Sequence, residues 1–158
     1  MKELVVFPDD YLRVKSQPVE EFGSALNQVI DDMTWVMRVL TGNGLGISAI
    51  QTREALRIGI IEQNYKSTKK GKPLVMCNPV ILEMEQPDTD REGCLSFPGK
   101  FIPIKRPSVV RIRYQDQEGV DRFRIFSGIF ARCVLHEIDH MNGVLFIDHA
   151  KEKPDWLE

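Results

Sequence analysis

Hydrophobic residues recur every three or four positions in two stretches of the chain, which predicts two amphipathic helices. The first stretch follows Pro18 and closes near Gly42, with apolar residues at Phe22, Leu26, Val29, Met33, Val36 and Leu40. The second runs from a predicted cap at Ser127 to a stop at Asn142-Gly143, with apolar residues at Phe130, Val134 and Ile138. One helix is therefore expected near the N-terminus and another late in the chain.

Between these helices the pattern changes to short apolar runs and alternation, as strands require. The runs cover residues 56–61, 74–77, 80–85, 109–114 and 122–126. Asn78-Pro79 separates the second run from the third, so two strands are expected there, and residues 116–119 predict a turn. The lysine-rich stretch 65–73 predicts an exposed loop. Helices and strands are segregated along the chain, which predicts an α+β fold.

Composition narrows the class of protein. The 158 residues are 42% hydrophobic and 28% charged, with no internal repeat, so we expect one globular domain over residues 1–158. A formal charge of -2 indicates neither a nucleic-acid nor a membrane partner. Cys77, Cys94 and Cys133 are an odd number of widely spaced thiols, which argues against disulfides and favours the cytoplasm.

The second predicted helix contains the pattern HExxH, at His136-Glu137-Ile138-Asp139-His140. Histidines one helical turn apart lie on one face, where they can share a metal ion. Glu137 is next to the first histidine, where it reaches a water on the metal without being a ligand. The same spacing also arises by accident on helix surfaces, so this segment alone leaves both interpretations open.

A catalytic metal site usually has three protein ligands and one open position. His149, several carboxylates or a cysteine are available as the third ligand, and His149 is interpreted as a surface histidine. Cys94 is preferred because it lies in the segment EGCLS, where Gly93 would let the backbone approach the metal. Taken alone, Cys94 would more often be a buried thiol, which is the interpretation kept for Cys77 and Cys133.

A third segment, GLGISAIQ at residues 44–51, combines small residues with a primary amide. The small residues allow the backbone to lie against a ligand, and Gln51 offers a donor. It is a poor phosphate loop, since a preceding strand and a lysine are missing. Alone it would more often be a turn between a helix and a strand.

In this order and at these intervals, GLGISAIQ, EGCLS and HEIDH resemble the three signature motifs of the peptide deformylases. The resemblance covers nearly the whole chain and includes residues 8–13 and 142–148. It implies mostly antiparallel sheets around a central helix carrying HExxH. It also implies removal of the formyl group from N-formylmethionyl peptides of nascent proteins, with formate released.

The resemblance also assigns residues to roles. It implies that Cys94, His136 and His140 bind one divalent metal ion, expected to be Fe(II), with Zn, Ni or Co as alternatives. Glu137 is then the general acid and base. The developing oxyanion would be held by Gln51 and the backbone N–H of Leu95. A further implied pair, Glu92 with Arg106, is interpreted as holding the cysteine loop in place.

For the substrate, the resemblance implies an apolar methionine pocket lined by Leu45, Ile129 and Cys133, with peptide backbone pairing near Gly46. A monomer is expected, with the ribosome as a further partner. The chain departs from the usual motifs at Ser48, Leu135 and Met141. Leu135 stands where a glutamine is usual, which removes a polar group near the expected metal.

Two other functions stay open. An HExxH-type metallopeptidase is one, although such enzymes rarely use a thiolate ligand, so the cysteine in EGCLS counts against it. The other is a non-catalytic deformylase relative that only binds peptides or the ribosome. The presence of Glu137 and Gln51 counts against that alternative.

Overall fold

The computed structural model describes residues 3–42 and 44–157. Its helices are α1 at Ser24–Trp35, which continues into a π-helical turn at Val36–Leu40, and α2 at Ile129–Met141. Its strands are β1 Gly46–Ser48, β2 Ile58–Ile61, β3 Leu74–Cys94, β4 Phe97–Gln115 and β5 Asp121–Ser127. Short 3-10 turns lie at Asp10–Arg13, Ala49–Thr52 and Phe146–His149.

The five strands form one sheet in the order β1-β2-β3-β4-β5, and every neighbouring pair is antiparallel. The expected α+β class with antiparallel strands is therefore confirmed. The expectation of more than one sheet is wrong for the described residues, since their five strands hydrogen-bond into a single sheet. No helix in this part of the chain is long and apolar enough to cross a bilayer.

The predicted break at Asn78-Pro79 is wrong, because β3 runs through it without interruption. The pairing jumps from Cys77↔Gln115 to Val80↔Arg113, so the two residues form a bulge. Asn78 has a φ of 52° and its side-chain amide donates to the carbonyl of Val19 (2.9 Å). A bulge leaves a residue unpaired, which lets a proline lie inside a long strand.

The start of α2 also differs from the prediction. Ser127 is the last residue of β5, and Gly128, with a φ of 61°, precedes the helix without a side-chain cap. The expected stop is found, since the helix ends at Met141 and Gly143 has a φ of 73°. A Cβ on Gly143 would lie 2.5 Å from the carbonyl oxygen of Arg13, so a side chain does not fit there.

Helix α2 is buried along most of its length. Its apolar residues pack against β2, β4 and β5, in a cluster that includes Val134, Leu135 and Ile138. A second cluster joins α1 to the other side of β1 and β2. A third surrounds Phe97 and Phe146. Since His136, Glu137 and His140 belong to the same buried helix, their polar groups lie inside the protein.

Candidate metal centre

Three donor atoms meet where the end of β3 approaches α2. Sγ of Cys94 lies 3.4 Å from Nε2 of His140, which lies 3.2 Å from Nε2 of His136. The helical spacing of the two histidines aligns their rings, and the cysteine comes from the last position of β3. Among the described residues these three are the group of His, Cys, Asp or Glu donors that fits a metal ion.

The chemistry of this donor set suits a metal. One thiolate with two imidazoles is a common combination for zinc and other borderline divalent ions, and it leaves room for a fourth ligand. Both histidines are buried and Cys94 is half-buried. His149, the alternative third ligand, is outside the group and lies against Asp139 instead, with Nε2 2.8 Å from Oδ2.

Glu137 lies beside this group, and its environment changes its acidity. The carboxylate is buried, and within the described part of the chain its Oε1 atom has no hydrogen-bond partner. Burial raises the pKa of Glu137 to about 7. Gly46 makes room for it, since a Cβ there would lie 2.8 Å from Oε2 of Glu137. A carboxyl group that titrates near neutral pH is suited to both taking and giving a proton.

Glu92 is the residue whose importance the sequence interpretation underestimated. The predicted pair with Arg106 is present, with hydrogen bonds of 2.6 and 2.7 Å. The same carboxylate also lies 2.6 Å from Nδ1 of His136 and accepts a bond from Arg132 (3.2 Å). Burial would raise the pKa of Glu92, but the bonds from Arg106 and His136 outweigh it and hold the pKa far below its ordinary range.

The contacts continue to the protein surface. Arg106 also donates to Oδ2 of Asp139 (2.9 Å), and the same oxygen contacts the half-exposed His149. An unbroken series of polar contacts thus joins the metal centre to the outside through Glu92. Motif spacing did not reveal Asp139 or Arg132 as members, because the residues that connect them to this series, Arg106 and Glu92, are 33 and 40 positions away in the chain.

Gln51 is buried and its amide is engaged on both sides. Its Oε1 accepts from the backbone N–H of Ser48 (2.9 Å), and its Nε2 donates to Oγ of Ser96 (3.0 Å). The same nitrogen lies 3.8 Å from Sγ of Cys94. Ser48, one of the departures from the usual motif, donates to the backbone carbonyl of Glu137 (2.8 Å) and so joins β1 to α2.

A cavity of about 310 Å³ opens beside these residues. All four residues expected to contact the substrate line it, namely Leu45, Gly46, Ile129 and Cys133. Cys94, Leu95, His136 and Glu137 line it as well, whereas Gln51 and His140 are not among its lining residues. Apolar lining with a few convergent polar groups is typical of small-ligand sites.

Gly93 makes room for an aromatic ring on the neighbouring strand. A Cβ on Gly93 would lie 2.6 Å from a ring carbon of Phe101, so the missing side chain makes room for that ring. The expectation that Gly93 lets the backbone approach a metal stays a prediction. The pairing of Gly93 with Phe101 across β3 and β4 brings the ring against the strand.

Comparison with known proteins decides the family. The family model described as polypeptide deformylase matches residues 1–156. The chain belongs to this family. It is 41% identical over 159 residues to a peptide deformylase of Mesorhizobium japonicum, covering 99% of this chain and 89% of the relative. A Bradyrhizobium sp. peptide deformylase is 37% identical over 156 residues, covering 96% and 88%.

Solved deformylase structures share the fold. The Synechococcus elongatus peptide deformylase in complex with actinonin has a TM-score of 0.90 and 32% identity, covering 96% of this chain and 81% of that one. The Thermotoga maritima enzyme has a TM-score of 0.87 and 33% identity, covering 96% and 99%. The expectation of a hydrolase of the deformylase type is confirmed. Deformylases depend on a metal and act on formylated peptides, which agrees with the three donors found here.

Proposed function

We propose that this protein hydrolyses the formyl group from N-formylmethionyl peptides of nascent proteins, using one divalent metal ion held by Cys94, His136 and His140. The observation that carries the proposal is the meeting of these three donors beside a buried carboxylate in the wall of one cavity. We assign residues 1–158 to a single catalytic domain, which agrees with the extent of the family match.

Glu137 moves the protons of the reaction. A bound metal ion would supply a Lewis acid that makes water a nucleophile near neutral pH. Glu137 takes a proton from the attacking water and delivers it to the amine nitrogen that leaves with the peptide. Its buried position supports this role, because a carboxyl group with a pKa of about 7 is ready for both transfers.

The developing negative charge on the formyl oxygen requires donors. The backbone N–H of Leu95 and the amide of Gln51 are our candidates, and each such donor contributes on the order of 3 kcal/mol. Gln51 Nε2 lies beside Cys94 but already bonds to Ser96. A primary amide has two hydrogens, and we assign to the oxyanion the one that points toward Sγ of Cys94 (3.8 Å), because that contact is the longer of the two.

The cavity has room to bind the methionine side chain and the peptide backbone of the substrate. Leu45, Ile129 and Cys133 present apolar surface to the methionine side chain, and the backbone at Gly46 is placed to pair with an extended peptide. A wider, open hollow of about 690 Å³ lies near residues 149–155. We assign the substrate to the smaller cavity, because the metal donors Cys94 and His136 line that one.

We infer Fe(II) as the native metal, with Zn, Ni or Co able to replace it, because a thiolate with two imidazoles suits all four. We further infer a monomer that acts in the cytoplasm on chains emerging from the ribosome. Metal analysis of protein purified without oxygen tests the first inference. A zinc content of one per chain under those conditions, with no iron, would contradict it.

Formate release tests the reaction. Formyl-Met-Ala-Ser is the substrate and unformylated Met-Ala-Ser is the control. We expect formate from the first peptide alone, no turnover with Glu137→Gln, and undiminished metal content in that variant. Glu62→Gln is the matched control, because Glu62 is an equally buried glutamate that pairs with Arg38 away from the cavity.

The same assay separates the alternatives. Cleavage of the peptide backbone would indicate an HExxH-type metallopeptidase. Peptide binding without any product would indicate a non-catalytic relative that binds peptides or the ribosome. Metal loss from Glu137→Gln would show that Glu137 is a ligand and not the proton carrier.

A further inference from the structure

Arg91 and Phe101 form one wall of the cavity beside the metal donors. Arg91 lies near the end of β3, and Phe101 lies opposite Gly93 on β4, so the two are diagonal neighbours across the ladder. The guanidinium carbon of Arg91 is 5.2 Å from the centre of the Phe101 ring. The ring reaches this position because Gly93 has no side chain in the way.

The charge of Arg91 is not neutralised by the protein. No carboxylate of the described residues lies within ion-pair distance of its guanidinium, and its contact there is the Phe101 ring. Asp90, the nearest acidic residue in sequence, accepts from the backbone N–H of Arg91 (2.8 Å). The positive charge of Arg91 is thus presented to whatever enters the cavity.

The other charged residues of the cavity wall have partners or lie deep. Arg132 donates to Glu92 and to the backbone carbonyls of Ile104 and Asp88. Glu92 is balanced by Arg106 and Arg132, and Glu137 is buried. Among the described residues, the charged side chain at the rim of the cavity that no opposite charge balances is therefore Arg91, and its charge is positive.

Phe101 adds an apolar surface next to this charge. Its side chain is 56% exposed, a large fraction for an aromatic ring, although it lines a cavity. An exposed ring beside an unpaired guanidinium fits a side chain with an aliphatic stem and a carboxylate end. Glutamate has this form, and aspartate has a shorter version of it. A carboxylate also matches the fork of the guanidinium with two hydrogen bonds.

We propose that Arg91 and Phe101 form a subsite that favours formylated peptides with an acidic side chain shortly after the methionine. The proposal rests on the proposed function, since it concerns the same cavity. Because the pair is exposed to solvent, its effect is modest, about three- to tenfold in kcat/KM between glutamate and lysine peptides. High salt reduces the preference, because exposed charges are screened.

Formyl-methionyl tripeptides with glutamate, alanine or lysine test the subsite. One series varies the second residue and another varies the third, at low and high ionic strength. We expect the order glutamate, alanine, lysine in at least one series, arising from KM, because the contact is the same in the ground and transition states. Arg91→Gln should remove the preference and Arg91→Glu should reverse it.

Arg122→Gln is the matched control, since Arg122 is an exposed arginine on β5 that pairs with Asp116 outside the cavity. It should keep the wild-type order. Equal kcat/KM for all peptides in both series would overturn the proposed subsite and leave the proposed function intact. A preference for glutamate that persists in Arg91→Gln would do the same. Formate release from none of the peptides would overturn the proposed function itself, and the subsite with it.

Discussion

Nδ1 of His136 lies 2.6 Å from Oε2 of Glu92, a buried carboxylate that Arg106 also holds with two hydrogen bonds. A proton on Nδ1, donated to Glu92, leaves the Nε2 lone pair of His136 free for a metal ion. The contact also fixes the orientation of the ring and makes it a stronger ligand. Glu92 thus prepares a ligand that comes from a different element of the fold.

The variant Glu92→Gln should weaken metal binding by about 10- to 100-fold, because a neutral amide is a poorer partner for the histidine N–H. Competition with a chelator measures the dissociation constant. Glu62→Gln disturbs another buried ion pair, with Arg38, and serves as the control. Both variants should lose stability, but only the first should lose metal affinity. Equal metal affinities in the two variants would show that Glu92 has a structural role alone.

In the metal-free protein, Glu137→Gln should increase stability at alkaline pH. Burial raises the pKa of Glu137 from 4.5 to about 7, so between these values the folded state keeps a proton that the unfolded chain releases. The free energy of unfolding therefore falls as pH rises through that window. At about pH 8 the free energy of unfolding of the variant should exceed that of the wild type by ~3 kcal/mol. Near pH 4 the two proteins should be equally stable.

Urea denaturation of both metal-free proteins across this pH range measures the difference. If the difference in free energy of unfolding between the two proteins does not change with pH, ionisation of Glu137 does not destabilise the folded protein. Repeating the series with metal bound shows whether the ion reduces the destabilisation that ionised Glu137 causes.

The three cysteines should differ sharply in alkylation of the folded, metal-free protein. Burial raises the pKa of both Cys77 and Cys133 to about 12, so at pH 8 only about one thiol in ten thousand is the reactive thiolate. Cys94 lines the cavity and should be modified first, and added metal should protect it. Mass spectrometry of iodoacetamide-treated protein locates the label. Rapid labelling of Cys133, which lines the same cavity, would contradict the expectation.

Removal of residues 151–158 should lower the free energy of unfolding by about 1–3 kcal/mol and leave deformylation and metal binding nearly unchanged. The main loss is Trp156, whose ring packs edge-on against Phe97 with centres 6.1 Å apart. Phe97 keeps its contacts with Phe7 and Phe146 without the tail. Trp156→Ala should reproduce most of the loss in thermal denaturation. A sharp rise in KM with metal still bound would show that the tail closes the substrate cavity.

Local patterns in the sequence were sufficient for much of the site. The spacing of His136 and His140 predicted that their rings share one face, and the structure joins them with Cys94 as expected. The end of α2 was predictable as well, because Gly143 follows it with a positive φ. Each of these features depends on residues within a few positions, or on motifs that resemble a known family.

Features that depend on distant partners escaped the sequence analysis. The contact between Glu92 and His136 joins residues 44 positions apart, and no periodicity marks it. The bulge at Asn78 was predicted as a break, since it is the partner strand and the contacts with Val19 that keep β3 continuous. Gly93 was interpreted from its neighbour Cys94, whereas the residue that requires it is Phe101 on the next strand.

The long β3–β4 hairpin limits how the chain tolerates insertions and deletions. Side chains alternate along a strand, so deleting one residue from β3 between Glu83 and Asp90 would turn Glu92 outward and Arg91 toward α2. Deleting two consecutive cross-strand pairs, that is two residues from β3 and their two partners from β4, would shorten the hairpin and leave both residues facing as they do now. Unless a new bulge absorbs the change, as at Asn78, this hairpin tolerates changes in length only in steps that preserve the alternation.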